Sequence, residues 1–387
     1  MSLRIETADL WRISMRLKGS FETSFGVELD REAIVIRLLA DTLEGWGECV
    51  AGAYPGYSYE TARTAWHVLG DFLLPAVLGA SLSGAAELPS RVQRIRGHPL
   101  AKAGLEMALW DLFGQSQGKP LSQLLGGVRD RVEVGVSVGI QRDAPALLGA
   151  VHAYLDQGYR RIKIKIRPGA DLDRVQALRE AFPILPLQVD ANSAYELKDV
   201  GIFEAMDDLN LLLIEQPLAE DDILDHARLQ ALLKTRLCLD ETILSGRHAL
   251  QAIEAKACGV INIKAARVGG ITEAVRIHDL CRDRGVPVWC GGMLETGIGR
   301  AANLALASLP GFVLPGDISA SERYYAEDLA YPLFTLNSDS TIDVPSAPGL
   351  GIEVDPRSVE RFSLRHEKFS AGANPRSTRR RRRRLPS

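Results

Sequence analysis

The hydrophobic pattern changes rhythm about a third of the way along the chain. Near the start, RIETADLWRISM and REAIVIRLLA alternate apolar and polar positions, as half-buried strands do. GSFETSFGVELD joins them, so the pattern predicts a hairpin or meander with a loop over residues 18–30. GWGECVAGAYPGYSYE is rich in turn formers and aromatics and predicts a second, mobile loop at about residues 51–59. ETARTAWHVLGDFLLPAVL and HPLAKAGLEMALWDLFGQSQG then bring back apolar residues every three or four positions, the period of a helix. Strands followed by helices predict an α+β unit over residues 1–128.

From Arg131 strand-like and helix-like runs alternate. RVEVGVSVGI reads as a strand, APALLGAVHAYLDQG as a helix and RRIKIKI as the next strand, and the alternation continues to GRAANLALAS. Predicted strand ends fall near Ser137, Lys165, Asp190, Glu215, Asp240, Lys264 and Gly291. Seven β/α units, with GFVLPGD as an eighth strand, predict an α/β fold: a (β/α)7β TIM-like barrel over residues 129–319 beside an α+β capping domain. An open doubly wound sheet would want a glycine-rich phosphate loop after its first strand, and VSVGIQRD does not supply one. After Asp317 the periodicity fades. Residues from about 320 to 367 are expected to return to the first unit, and residues 371–387 to form a disordered tail.

The charged residues at those strand ends sit on a ruler. Asp190, Glu215 and Asp240 are 25 residues apart, closing PLQVD, LLLIE and LCLD; Lys165 lies 25 before the first and Lys264 lies 24 after the last. In a barrel, functional side chains gather at the C-terminal ends of strands, so the three acids would stand side by side. One strand-end acid alone would read as a salt bridge or a helix cap. Three on adjacent strands cannot stay close and ionised without a compensating cation. Oxygen-only ligation suits Mg2+, with Mn2+ as a substitute. Lys165 and Lys264 would end the second and sixth strands, four apart in a ring of eight, and so face each other across the mouth. Lys163 shares the face of Lys165, while Ile162, Ile164 and Ile166 point the other way. Repulsion between the lysines, together with the cation, is expected to lower a lysine pKa enough for general-base work. The chemistry this predicts is removal of the proton α to a carboxylate held at the cation. Return of the proton to the opposite face gives racemisation; departure of a leaving group gives elimination.

Composition narrows the setting. The chain has 387 residues, 46% hydrophobic and 25% charged, with no apolar run near membrane-spanning length and no signal-like N-terminus. Five scattered cysteines form no CxxC pair, so a reduced, cytoplasmic protein is expected. The formal net charge of −3 includes seven arginines in the last dozen residues, Arg376 and Arg379 to Arg384; removing them leaves −10 for the rest. No aromatic is interleaved with these arginines, so the tail offers no platform for base stacking. The expected partners are a small-molecule carboxylate and further copies of the chain, with neither nucleic acid nor membrane. A scaffold driven by the arginine tail is the non-enzymatic alternative.

The strings around the ruler resemble the enolase superfamily: KIK at 163–165, DANSAY at 190–195, IEQPL at 214–218, LDE at 239–241 and NIKAARVGG at 262–270. GGMLETGIGR at 291–300 is similar to the o-succinylbenzoate synthase/N-succinylamino acid racemase family, and FETSFG at 21–26 is similar to that family's substrate-covering loop. The resemblance covers about residues 1–365. It implies Asp190, Glu215 and Asp240 as metal ligands, Lys165 and Lys264 as acid/base lysines, and Lys163 as an electrostatic helper. In the synthase reaction Lys165 would take the α-proton and assist loss of hydroxide, with Lys264 a cation beside the ring. In the racemase reaction both lysines would exchange protons. By position, Ser137, Asn192, Gly291, Gly292 and Met293 would contact the succinyl arm. Phe21, Phe25, Tyr54 and Tyr57 would line the covering loops, while Glu241 and Arg267 would support ligands and base from behind. The rivals are N-acylamino acid racemase as the main role, a muconate cycloisomerase and a dipeptide epimerase. The last would want an Asp-x-Asp pair where this chain has Asp317 and Ser319.

Overall fold

The computed structural model describes residues 2–372; the arginine run lies outside them. Three antiparallel strands, β1 (Thr7–Thr23), β2 (Gly26–Ala40) and β3 (Leu43–Cys49), open the chain. Two helices follow, α1 (Ala62–Val68) and α2 (Pro99–Gln117). Helix α2 is buried on most of its circumference because it lies between the sheet and the rest of the molecule. Two strand glycines let it approach: a Cβ on Gly45 would collide with the Ala108 carbonyl oxygen, and one on Gly47 with that of Gly104.

The predicted loop over residues 18–30 is instead hairpin. Strands β1 and β2 stay paired through Thr23 and Gly26, with a register shift between Arg16 and Phe21 that absorbs the irregular spacing. The tip then lies over the second half of the molecule. The Ser24 hydroxyl donates to the Asn192 carbonyl at 2.9 Å, and the Ile140 amide donates to the Glu22 carbonyl at 2.9 Å.

The remaining elements alternate: β4 (Val136–Val138), α3 (Ala144–Asp156), β5 (Ile162–Lys165), α4 (Leu172–Ala181), β6 (Leu187–Asp190), α5 (Val200–Asp207), β7 (Ile214–Glu215), α6 (Ile223–Leu232), β8 (Leu237–Leu239), α7 (Gly246–Glu254), β9 (Val260–Ile263), α8 (Ile271–Asp283), β10 (Val288–Cys290) and α9 (Gly297–Ala307). The seven strands form one parallel sheet in sequence order. Residues 312–317 fill the remaining gap. Val313 donates to the Val288 carbonyl on one side, and Gly135 donates to the Gly316 carbonyl on the other. The result is the (β/α)7β TIM-like barrel. RVEVGVSVGI, read as one strand, is two: Arg131–Glu133 pairs with Thr341–Asp343 outside the parallel sheet, and only Val136–Val138 joins it. A last strand, β11 (Ser363–Ser370), pairs with β1 and completes the antiparallel sheet.

Buried carboxylates tie down helix ends, two of the three across the boundary between cap and barrel. Glu48, next to the end of β3, accepts from the Thr296 amide and hydroxyl and from the Gly299 amide, satisfying the N-terminus of α9. Glu60 does the same for the Leu100 and Ala101 amides of α2, and Glu106 accepts from the Thr272 amide of α8. Burial pushes all three up to about 7 from an ordinary 4.5. A carboxylate raised on folding contributes stability that is present below its unfolded pKa and lost as pH rises through the folded one. Thermal stability is therefore expected to fall between about pH 4.5 and 7. Glu106→Gln, which keeps an acceptor for Thr272, should flatten that slope by on the order of 1–3 kcal/mol. An unchanged slope in melting curves across this range would count against the assignment.

Candidate active site

Strand register turns the sequence ruler into a row. Lys165 pairs with Asp190, Asp190 with Glu215, and Glu215 with Cys238, so Lys165, Asp190 and Glu215 stand at one level on β5, β6 and β7. Asp240 and Lys264 follow one residue after β8 and β9. Below the row the barrel is plugged by Trp289, whose indole donates to Cys238 Sγ at 3.3 Å. Above it is a cavity of about 390 Å3 whose walls include Ser137, Lys163, Lys165, Asn192, Lys264 and Asp317.

The lysines cover the acids. Lys163 Nζ lies 2.9 Å from Asp190, 2.8 Å from Glu215 and 2.6 Å from Asp317. Lys165 Nζ donates to Asp190 Oδ2 and to Asn192 Oδ1, each at 2.7 Å. Lys264 Nζ donates to Asp240 Oδ2 at 2.7 Å, and Arg267, on the short turn Ala265–Val268, holds the other oxygen of Asp240. Asp190, Glu215 and Asp240 are fully buried beneath these cations.

The carboxylates act strongly on the lysines. Burial alone would lower Lys163 and Lys264, but their carboxylate partners outweigh it and hold both above the usual lysine range. The predicted lowering concerns lysines beside a bound cation, a different balance of charge. Glu215 shows the converse. Burial, then the charges of Asp190 and Asp240, push it up to about 8. Burial and the same two neighbours push Glu241 up to about 7.

These residues fit a hard divalent cation by donor chemistry: three buried carboxylates from adjacent strand ends, crowded enough to disfavour Glu215 ionisation. Around them Glu241 Oε2, Ser137 Oγ and Asn262 Oδ1 are buried without a protein partner, which is where a bound ligand or water is expected. Among the described residues no three acidic, histidine or cysteine groups already surround a common point, because the oxygens are turned to the lysines.

The remaining predicted positions divide. Ser137, Asn192, Gly292 and Met293 line the cavity. Gly291 does not. A Cβ there would stand 2.6 Å from Lys264 Cε and would collide with Asn262 Oδ1, so this glycine makes room for the lysine. Asn192, at a φ of +42°, bridges Lys165 and Glu241, donating to the latter at 2.8 Å. Phe21, Phe25 and Tyr54 form part of the cavity rim, with Tyr54 75% exposed. Tyr57 reaches deeper: its hydroxyl donates to Asp240 Oδ1 at 2.9 Å, accepts from Lys264 at 3.2 Å, and its ring lies 4.4 Å from that ammonium. Tyr57→Phe is expected to lower turnover by about tenfold, the worth of one hydrogen bond to a charged group, with little change in melting temperature. Wild-type turnover would show that the hydroxyl is idle.

Sequence reasoning missed the contacts of three neighbours, Asp317, Arg161 and Asn262. Asp317 closes the far side of Lys163 and is itself held by Arg161 at 2.6 Å; those two cations outweigh burial and bring its carboxyl down to about 2. Asn262 donates to Glu215 Oε1 at 2.7 Å. Asp317 ends the closing eighth strand and Asn262 lies two residues before Lys264, so the strand-end argument could have reached both.

A closed parallel barrel under an antiparallel cap, with acids and lysines on neighbouring strand ends, defines an enolase-like protein. The chain belongs to the mandelate racemase/muconate lactonizing enzyme family of that superfamily. Residues 7–126 match the model of its N-terminal domain, and residues 146–358 match that of the enolase C-terminal domain-like unit. The chain is 50% identical over 364 residues to an o-succinylbenzoate synthase of Geobacillus kaustophilus, covering 94% of this chain and 97% of that one. It is 47% identical over 369 residues to an N-succinylamino acid racemase of Thermus thermophilus, covering 95% and 100%. The crystal structure of an enolase-superfamily protein from Listeria innocua superposes with a TM-score of 0.92 at 38% identity, over 96% of this chain and all of that one.

Proposed function

We propose that this protein is a Mg2+-dependent o-succinylbenzoate synthase that also racemises N-succinylamino acids. The observation that carries the proposal is one cavity walled by two lysines from strands set well apart in the ring, β5 and β9, over a row of buried carboxylates. Relatives bearing both names, at nearly equal identity, support two activities on one site. Asp190, Glu215 and Asp240 would hold the cation, which when bound neutralises the substrate carboxylate as the neighbouring proton leaves.

The chain's own groups do the rest. In the dehydration of 2-succinyl-6-hydroxy-2,4-cyclohexadiene-1-carboxylate, Lys165 takes the α-proton and returns it to the departing hydroxide on the same face. Lys264, held cationic by Asp240, stabilises the developing charge. In racemisation Lys264 must also exchange a proton, which requires its contact with Asp240 to loosen. Lys163, paired three ways, stays a fixed cation. The hairpin tip and the Tyr54–Tyr57 loop border the cavity, and closing over a bound substrate they would exclude water.

A dipeptide epimerase is disfavoured because Asp317 is engaged by Arg161 and Lys163 while Ser319 carries no charge. The five cysteines are all buried free thiols, which supports a reducing, cytoplasmic setting. No helix among the described residues is long and apolar enough to cross a membrane. The test is a paired assay with Mg2+, offering the cyclohexadiene carboxylate and an N-succinylamino acid. Turnover of both is expected; turnover of neither would sink the proposal. Unchanged turnover after deletion of residues 371–387 would dispose of a role for the arginine tail.

A further inference from the structure

We propose a second site, an anion-binding recess on the cap that takes a small organic dianion carrying an apolar ring. The recess, about 620 Å3, lies between α1 and the segment leading into α2, and it shares no lining residue with the catalytic cavity. Its floor is apolar, built from Val68, Ile95 and Phe72; its rim is Arg63, Arg94 and Arg96.

Charge is the first argument. Outside the arginine run the chain carries a formal −10, so a surface arginine has acids in excess to pair with. Yet Arg63, Arg94 and Arg96 form no ion pair among the described residues. The acids nearest the recess, Asp71 and Glu60, lie against His67 at 3.2 Å and His98 at 3.8 Å, not against these arginines. Three unpaired guanidinium groups around one hollow raise the local potential and concentrate anions there. Each is a planar fork suited to two oxygens of a carboxylate or phosphate.

The floor is the second argument. Phe72 is 51% exposed, with the His67 ring at right angles to it 5.5 Å away, so aromatic surface is available to a ligand ring. A ring on the floor with two anionic groups at the rim would use all of these features. The shared chemistry is a ring-bearing dianion, either a dicarboxylate or a phosphate ester.

The test is calorimetric titration of the Mg2+-loaded, full-length protein with phthalate and, separately, with AMP. Saturable 1:1 binding of at least one probe is expected, weakened at least about tenfold by the double substitution Arg94→Gln/Arg96→Gln and weakened again by added salt. Both side chains are exposed, so the variant should melt at the wild-type temperature. Binding of phthalate alone assigns the site to carboxylates, AMP alone to phosphate esters, and both to any ring-bearing dianion. No saturable binding of either probe would overturn the proposal, as would binding that the double variant leaves unchanged. Loss of oligomers in the variant by sedimentation would also overturn it, since a second copy would then be the occupant.

Discussion

Lys165→Ala and Lys264→Ala are each expected to stop exchange of the α-proton with solvent deuterium for one enantiomer of an N-succinylamino acid while largely sparing the other. The affected exchange should fall by about 10²–10⁴-fold, the usual worth of a positioned acid or base. The two side chains come from β5 and from just after β9, with three strands between them, and both enter the same cavity. A substrate held over the carboxylate row would therefore present one face to each. Neither substitution strips the site of charge balance. Without Lys165, Asp190 still has Lys163; without Lys264, Asp240 still has Arg267 and the Tyr57 hydroxyl. The folded protein should survive both changes, so lost exchange would report chemistry. In dehydration the roles separate: Lys165→Ala should abolish turnover, and Lys264→Ala should remove a stabilising cation but leave the base. Proton NMR of each enantiomer in deuterium oxide reads the result. Equal, complete loss for both enantiomers in both variants would leave the two-face roles without support.

The barrel was legible because its signals repeat. Five of the seven strand ends are marked by an apolar run closed by a charge, and seven repeats at nearly constant length leave few folds open. In the structure Lys165, Asp190 and Glu215 end their strands and Asp240 and Lys264 follow theirs by one residue, a slip too small to change a side chain's neighbourhood. The cap was less legible because nothing in it repeats. FETSFG carries a glycine and polar residues that read as loop, yet pairing with the opposite strand keeps it extended. GWGEC opens a turn-rich string, yet it lies in β3, where its glycines admit α2. The contacts of Tyr57 depend on where a loop lands, which no local pattern encodes. Asp317 was weighed only as half of a missing pair. Its engagement with Lys163 and Arg161 follows from barrel closure, a long-range event that brings residue 317 back beside residue 161.

Removing the divalent cation is expected to have the largest effect of all: no proton exchange and no dehydration after chelation, with both restored by Mg2+ and, less fully, by Mn2+. The fold itself should survive the removal. Lys163, Lys165, Lys264 and Arg267 each lie on one or more of the acids that would hold the cation, so no carboxylate among them is left buried without a counter-charge. Lys165 and Lys264, two of the three lysines on the cavity wall, reach Asp190 and Asp240 at 2.7 Å each, so the groups that would hold the cation and those that would move the proton are in direct contact. Metal addition should then raise the melting temperature, by an amount corresponding to about 2.7 kcal/mol at a hundredfold excess over the dissociation constant. Replacing Glu215 with Gln should cost most of that gain, because Glu215 is the one acid of the three that burial and its neighbours already push towards the neutral form and that a cation would most relieve. Melting curves and exchange rates recorded against Mg2+ concentration on wild type and Glu215→Gln decide the matter. Exchange that persists in the presence of chelator, or a melting temperature indifferent to Mg2+, would remove the cation from Asp190, Glu215 and Asp240.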